Sequence, residues 1–313
     1  MSEQKVIYAI GHKNPDTDSI CSAIAYANLK RTMGMTNVIA ARAGEINKET
    51  EYALNHFGVE APELVKSIAC EQEVILTDHN ELAQAVDGIE KGKIVEIVDH
   101  HRFGGLETSE PICITVRPVG CTCTIVTNLY KQAGVEIPQK IAGLLMSAII
   151  SDTVLFKSPT CTQTDKDTVE YLAEIAGVDY KEYGMAMLKA GADIGDMTPA
   201  QIVKNDSKKF QIGDYPMLIS QLSVMDTDQV MAMQDDILAE MKRVCADEGY
   251  AMTIVIVTDI INEGSYLLFS GEPTKLISEA FKEDASKNVM YLPGVMSRKK
   301  QIIPPLSEAV KNL

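Results

Sequence analysis

Long apolar runs, paired cysteines and excess positive charge are all missing from this chain of 313 residues. No apolar stretch approaches the length that spans a bilayer, and five apolar residues precede the first polar turn, too few for a signal peptide. A cytoplasmic protein with no membrane partner is therefore expected. The seven cysteines are odd in number and form no CxxC pair, which argues against a disulfide framework and a structural zinc site. Cys121 and Cys123, in GCTCT, read as buried thiols on a strand or at a helix start. The formal charge of −15 disfavours nucleic acid, whose binding rests on basic surfaces. A small anion remains compatible where metal ions and a few cations, such as Arg298, Lys299 and Lys300, reverse the sign locally. There is no low-complexity tract and no repeat at a solenoid period. The first turn also lacks GxGxxG and offers acids where a dinucleotide loop needs bare amides.

What is present is an ordinary globular composition, 46% hydrophobic and 23% charged, at a length that suits two domains. Up to about residue 185, short apolar runs alternate with helical patterns over Ser19–Arg31, Lys48–His56, Glu81–Glu90, Thr122–Gly134 and Gln139–Ile150. This βαβ rhythm predicts an α/β fold with a doubly wound parallel sheet. A helix over 161–176, capped by Thr164 or Asp165 and ended by Gly177, and another over Tyr180–Lys189 complete a first domain, 1–189. The small, Gly-bearing stretch Ala190–Asp196 reads as a hinge, with the linker at about 190–194. Lys208–Ile212, Tyr215–Val224, Gln229–Glu248, Met252–Asp259 and Ser265–Ser270 then predict a smaller α/β domain, 195–313, with a mixed sheet. Asn262, Glu263 and Gly264 join its last two strands as a hairpin. The active site is expected in the cleft between the domains.

Four apolar runs end on acids. Val6–Ile10 leads into GHKNPDTDS, which holds His12, Asp16 and Asp18; Val74–Leu76 reaches Asp78; Ile94–Val98 reaches Asp99, His100 and His101; and Leu144–Ile150, which also carries a helical pattern, reaches Asp152. An aspartate after a strand is commonly a turn former or helix cap. Histidine changes that balance, because four of the chain's five (His12, His79, His100 and His101) fall inside these segments. His56, before Gly58, reads as a helix C-terminal residue. The carboxyl ends of parallel strands line one crevice, so these residues are expected to converge there.

His12, Asp16, Asp18, Asp78, His100 and Asp152 supply four carboxylates and two imidazoles, too many for one metal and suited to two that share an aspartate. The mixed N/O set favours Mn²⁺ or Co²⁺, with zinc compatible. Two such ions hold a water between them, lower its pKa and clamp an in-line displacement at phosphorus. Cations from the second domain would then meet the leaving group.

Together GHKNPDTDS, TDHN at 77–80, VDHH at 98–101, SDT at 151–153 and SRKKQ at 297–301 resemble the family II inorganic pyrophosphatases, manganese-dependent members of the DHH phosphoesterase superfamily. The likeness spans nearly the whole chain, without the nucleotide-binding insert of some members. It implies that His12 and Asp16 hold one ion, that Asp18, His100 and Asp152 hold the other, and that Asp78 bridges them. It also implies that His101, Lys208, Arg298 and Lys299 bind the two phosphoryl groups, that Mg²⁺ arrives with pyrophosphate, and that the chain forms a homodimer through its first domain. Asp99 would orient a histidine. His79 and Asn80 are given no firm part, and Lys300 and Gln301 belong to the motif without an assigned contact. Read alone, SKKF around Lys208 and the SRKKQ run are solvated surface. The apolar segments flanking SRKKQ suggest a closing lid instead.

Two rivals follow. Another DHH phosphoesterase, acting on short oligonucleotides or nucleotide phosphates, would typically carry a Gly-rich, His-containing motif in its second half, and none is found. A non-catalytic metal- or nucleotide-binding regulator would be expected to have lost a ligand, and none is missing.

Overall fold

The computed structural model describes residues 5–312 apart from 109, 193 and 196. The chain divides into two compact units, 1–190 and 191–313.

In chain order the first unit contains β1 (Ile7–Ile10), α1 (Thr17–Thr32), β2 (Val38–Arg42), α2 (Lys48–Phe57), β3 (Glu63–Leu64), β4 (Glu73–Thr77), β5 (Lys93–Asp99) and β6 (Cys113–Val116). Four helices follow: α3 (Thr122–Ala133), α4 (Gln139–Thr153), α5 (Gln163–Ala176) and α6 (Tyr180–Ala192). The six strands run in the order β3-β2-β1-β4-β5-β6 and every pairing is parallel. The chain thus winds outward from β1 in one direction and then, from β4, in the other. The crevice at that reversal is where ligands bind in open α/β sheets.

Strand alternation sorts the core. Ala9, Ile75 and Val98 face a large cluster with Ile20, Tyr130, Leu144 and Leu145 from the helices. Ile10, Leu76 and Ile97 face the opposite way, against Ile68, Val86 and Ile89. That second face is covered by irregular chain, which corrects one expectation: 81–90 is two 3₁₀ turns, Leu82–Gln84 and Ile89–Lys91, and not a helix. Gly88 sits between them at φ +78°, in the left-handed region that breaks a helix. A second correction concerns 144–150, which lies wholly within α4, so Asp152 projects from a helix's last turn and not from a strand end. A third is the cap of α5. Thr162 caps it, and Asp165 at the third helical position reciprocates as a capping box. The expected hinge is partly helix as well, since α6 runs through Ala192, while Asp193 and Asp196 lie outside the described residues.

The second unit begins with α7 (Pro199–Lys204), β7 (Lys208–Ile212), β8 (Tyr215–Val224), α8 (Thr227–Met231) and α9 (Gln234–Glu248). It continues with β9 (Met252–Asp259), β10 (Gly264–Gly271), α10 (Lys275–Phe281), β11 (Val289–Pro293) and α11 (Ile303–Ala309). The sheet is mixed, in the order β11-β10-β9-β8-β7, with β8 and β9 parallel and the other pairs antiparallel. The expected hairpin joins β9 to β10. The expected single helix over 229–248 is two, α8 and α9. Asp226 caps α8 from outside that range, and the chain breaks helical geometry at Met233. Apolar residues cover both sheet faces: Leu276 and Leu306 pack with Met217 and Ile219, and Ile237 and Met241 with Leu218 and Leu222. Among the described residues no helix is long and apolar enough to cross a membrane.

Candidate metal centre

The turn after β1 is tight because Gly11 leaves no room for a side chain. A Cβ there would lie 2.0 Å from Ser19 Oγ. Asp16 then does two things at once. Its Oδ1 caps α1 by accepting from the Ser19 amide at 2.9 Å, while its Oδ2 lies 3.4 Å from His12 Nε2. The helix-cap reading and the ligand reading of this residue are therefore compatible.

Asp18, fully buried in the first turn of α1, accepts from the amides of Thr122 at 2.6 Å and Cys123 at 3.0 Å. Two helix N-termini thus converge on one carboxylate, an arrangement that favours negative charge. Burial and the charge of Asp78 work against it and push Asp18 up to about 7.

Asp78 lies between the two groups of side chains. It follows β4 at φ +60°, a left-handed conformation that a short polar side chain tolerates and that recurs at functional sites. Its Oδ2 is 3.3 Å from His12 Nε2, and its Oδ1 is 3.5 Å from His100 Nε2. Thr122 Oγ1 donates to Oδ1 at 3.2 Å, whereas the buried Oδ2 has no hydrogen-bond partner. Three triads form: His12, Asp16 and Asp78; Asp18, His100 and Asp152; and Asp78, His100 and His101. In each, one donor atom per residue lies within 4.8 Å of the others. Every first-unit residue of the expected site is gathered here. A fourth triad, Asp18 with Cys121 and Cys123, meets the same criterion, but burial pushes both thiols up, consistent with inert core cysteines.

The donor chemistry fits divalent cations. His100 Nδ1 lies 3.0 Å from the Val119 carbonyl, which can only accept, so the proton sits on Nδ1. A neutral His100 therefore presents the Nε2 lone pair to carboxylate oxygens of Asp78 at 3.5 Å and Asp152 at 3.7 Å. Lone pairs facing one another require a positive charge between them, either a second ring proton or a metal. With protonated rings Asp78 is held well below the usual carboxylate range: burial opposes this, but the His100, His12 and His101 rings beside it outweigh it. A metal would take the place of those protons, and a histidine fixed through its other nitrogen is the common form of such a ligand.

Supporting residues fix the rest. Asp99 Oδ1 accepts from the amides of His100 and His101 and from His101 Nδ1 at 2.9 Å, so Asp99 orients His101. Asp99 stays well below the ordinary range: burial opposes ionisation, but His101 prevails through its hydrogen bond and charge. Asn80 donates to Asp99 Oδ2 at 2.5 Å and to the Arg102 carbonyl, and accepts from the Gly104 amide. Burial pushes the neighbouring His79 down to about 4, so this ring is neutral. After Asp152 the backbone of Val154, Leu155 and Phe156 takes positive φ throughout, strained for branched and bulky residues.

In the second unit Lys208 opens β7 opposite Ile219 and is half-buried. Arg298 is buried, unlike the solvated surface that the SRKKQ run read alone would give. It donates to the carbonyls of Asp206 and Ile219 and pairs with Asp206 Oδ2 at 2.9 Å. Lys299 and Lys300 are exposed. Gln301, left without a contact from sequence, accepts from the amides of Met296 and Ser297 and donates to the Gly294 carbonyl, which shapes the loop ahead of the basic motif. Sequence reading missed Thr122, Asp206 and the structural part of Asn80. Only Asn80, two residues from Asp78, carried a local signal.

A parallel sheet with imidazoles and carboxylates at its reversal point, followed by a mixed-sheet unit, defines a DHH-type phosphoesterase architecture. Residues 6–149 match the DHH family, N-terminal domain, and residues 185–309 match the DHHA2 domain. A manganese-dependent inorganic pyrophosphatase of Methanothrix thermoacetophila is 48% identical over 307 residues, covering 97% of this chain and 98% of that one. A Bacillus licheniformis protein named "probable manganese-dependent inorganic pyrophosphatase" is 47% identical over 306 residues, covering 97% and 99%. A solved structure from Methanococcus jannaschii, assigned to the family II inorganic pyrophosphatases, superposes with TM-score 0.89 at 43% identity, covering 98% of this chain and 100% of that one. The chain belongs to the family II, manganese-dependent inorganic pyrophosphatases.

Proposed function

We propose that this chain hydrolyses inorganic pyrophosphate to two phosphates at a pair of Mn²⁺ ions, with Co²⁺ able to substitute and Mg²⁺ accompanying the substrate. His12 and Asp16 would hold one ion and Asp18, His100 and Asp152 the other, with Asp78 shared between them. The observation that carries this reading is Asp78, whose two oxygens face different groups of side chains, His12 at 3.3 Å on one side and His100 at 3.5 Å on the other. When bound, such a pair supplies a water acidified toward neutrality and a clamp on the attacking and leaving oxygens at phosphorus.

The chain's own residues do the positioning. Asp18, fixed by two backbone amides, and His100, fixed by the Val119 carbonyl, keep their places between turnovers. His101, oriented by Asp99, meets one phosphoryl group. Lys208, Arg298 and Lys299 bind the two phosphoryl groups and offset the charge that builds on the departing phosphate as the P–O bond breaks. The exposed edge strand β6, with Ile114 45% exposed, supports a homodimer through the first unit. Seven free cysteines support a reducing, cytoplasmic setting.

The test is phosphate release from pyrophosphate by metal-stripped protein, restored in turn with Mn²⁺, Co²⁺ and Mg²⁺, beside nucleotide release from a short oligonucleotide. Recovery on pyrophosphate, largest with Mn²⁺, is expected. Turnover of the oligonucleotide alone would replace this reading with the rival phosphoesterase.

A further inference from the structure

Glu49, in the first turn of α2, has no part in the function set out above. Its Oε1 accepts from Thr17 Oγ1 at 2.9 Å and from Ser151 Oγ. Thr17 stands between Asp16 and Asp18 at the start of α1, and Ser151 precedes Asp152 in the last turn of α4. One oxygen therefore ties the segment that carries two of the assigned ligands to the helix end that carries a third. The single hydroxyl proton of Thr17 goes to Glu49, so the 3.1 Å contact between Thr17 and Thr50 has Thr50 as donor. Thr50 is itself held by Asn47, which caps α2 through the Thr50 amide at 2.7 Å. At the other end, Val154, Leu155 and Phe156 follow Asp152 with φ of +48°, +50° and +71°. Local preference opposes that backbone path, so the end of α4 needs ties from elsewhere, and the Ser151–Glu49 hydrogen bond is one of them.

We propose that Glu49 is a positioning residue for the ion assigned to Asp18, His100 and Asp152, setting the separation of Asp18 from Asp152. The proposal rests on the ligand assignment above. The other ion, assigned to His12, Asp16 and Asp78, takes no ligand from α4, and its Asp16 is also held by the Ser19 amide, so the effect falls mainly on one site of the two.

Mn²⁺ binding to metal-stripped protein, followed by electron paramagnetic resonance of the free ion, tests this directly. Glu49→Ala is expected to bind the first ion as the wild type does and the second about tenfold more weakly or worse. Glu49→Gln keeps an oxygen that accepts both hydroxyl bonds, and should restore second-site affinity to within about threefold of wild type. Ser151→Ala removes one donor and should reproduce part of the loss. Asp152→Ala serves as the control on the ligand assignment and should lose the second ion altogether. Loss in Asp152→Ala with wild-type affinity in a folded Glu49→Ala overturns the positioning role and leaves the assignment standing. Failure of Glu49→Gln to restore affinity also overturns it, because a hydrogen-bond tie needs no charge. Two ions bound by Asp152→Ala would remove the assignment and the proposal together. If Glu49→Ala does not fold, Ser151→Ala decides, and unchanged second-site affinity counts against the tie.

Discussion

Buried charge is handled differently in the two units. In the first, Asp18, Asp78, Asp99 and His100 are buried within one centre, and the carboxylates outnumber the cations that the protein sets among them. In the second, buried Arg298 is met by two carbonyls and the Asp206 carboxylate, so its positive charge is answered from within the same unit. A buried ion with its own partner is explained by structure alone, while a buried cluster of one sign, with Asp78 Oδ2 lacking a hydrogen-bond partner, calls for a cation from outside. Metal is therefore the expected complement of the first unit, whereas the burial of Arg298 in the second calls for no ion from outside.

The contrast can be tested at its strongest point first. Asp78→Ala removes the residue common to both groups of ligands and should lower pyrophosphate turnover on the order of a thousandfold or more. Near-normal rates in steady-state assays of the Mn²⁺-loaded variant would break the comparison at once. Chelation should then separate the units. Since a ligand present at a thousand times its dissociation constant stabilises by about 4 kcal/mol, stripping Mn²⁺ should cost the first unit about that much and the second little. Hydrogen exchange would read this as lost protection around 78–80, 99–101 and 119–123, with β8 and β9 unchanged; uniform loss in both units would refute the distinction.

Smaller effects sharpen the second half of the contrast. Arg298→Ala should reduce kcat/KM for pyrophosphate about a hundredfold, and Arg298→Lys should recover little, because a lysine cannot reproduce the planar fork between Asp206 and Ile219. Unchanged turnover would return SRKKQ to a structural part. Asn80→Ala, which frees Asp99 and the chain at Arg102 and Gly104, should cost roughly tenfold in kcat through misplacement of His101. A normal rate in that variant would mean that Asp99 alone fixes the ring.

Much of the first unit was legible because parallel strands deliver their following residues to one edge of the sheet. Once β1, β4 and β5 are recognised as such, His12, Asp78 and His100 must be neighbours. Asp152 reached the same place by another route, the C-terminal turn of α4, and its run of apolar residues does not distinguish a buried strand from a buried helix. The edge strands β3 and β6, and β2 beside β3, left weaker traces. β6 is largely exposed and shows no buried alternation to read. The turns over 81–90 mimic a helix because Ala85, Val86 and Ile89 face one side of the sheet, and only Gly88 reveals the break. Glu49, Thr122 and Asp206 were invisible for a different reason. Each acts through a partner distant in sequence, and nothing in the local pattern marks a surface glutamate from one that joins two helices.

Diffraction from Mn²⁺-loaded crystals, with anomalous differences collected at the manganese edge, tests the central claim most directly. Two peaks about 3.5–4 Å apart are expected, with Asp78 Oδ2 and His12 on one and Asp78 Oδ1 and His100 on the other. A single peak, or two peaks that do not share Asp78, would contradict it.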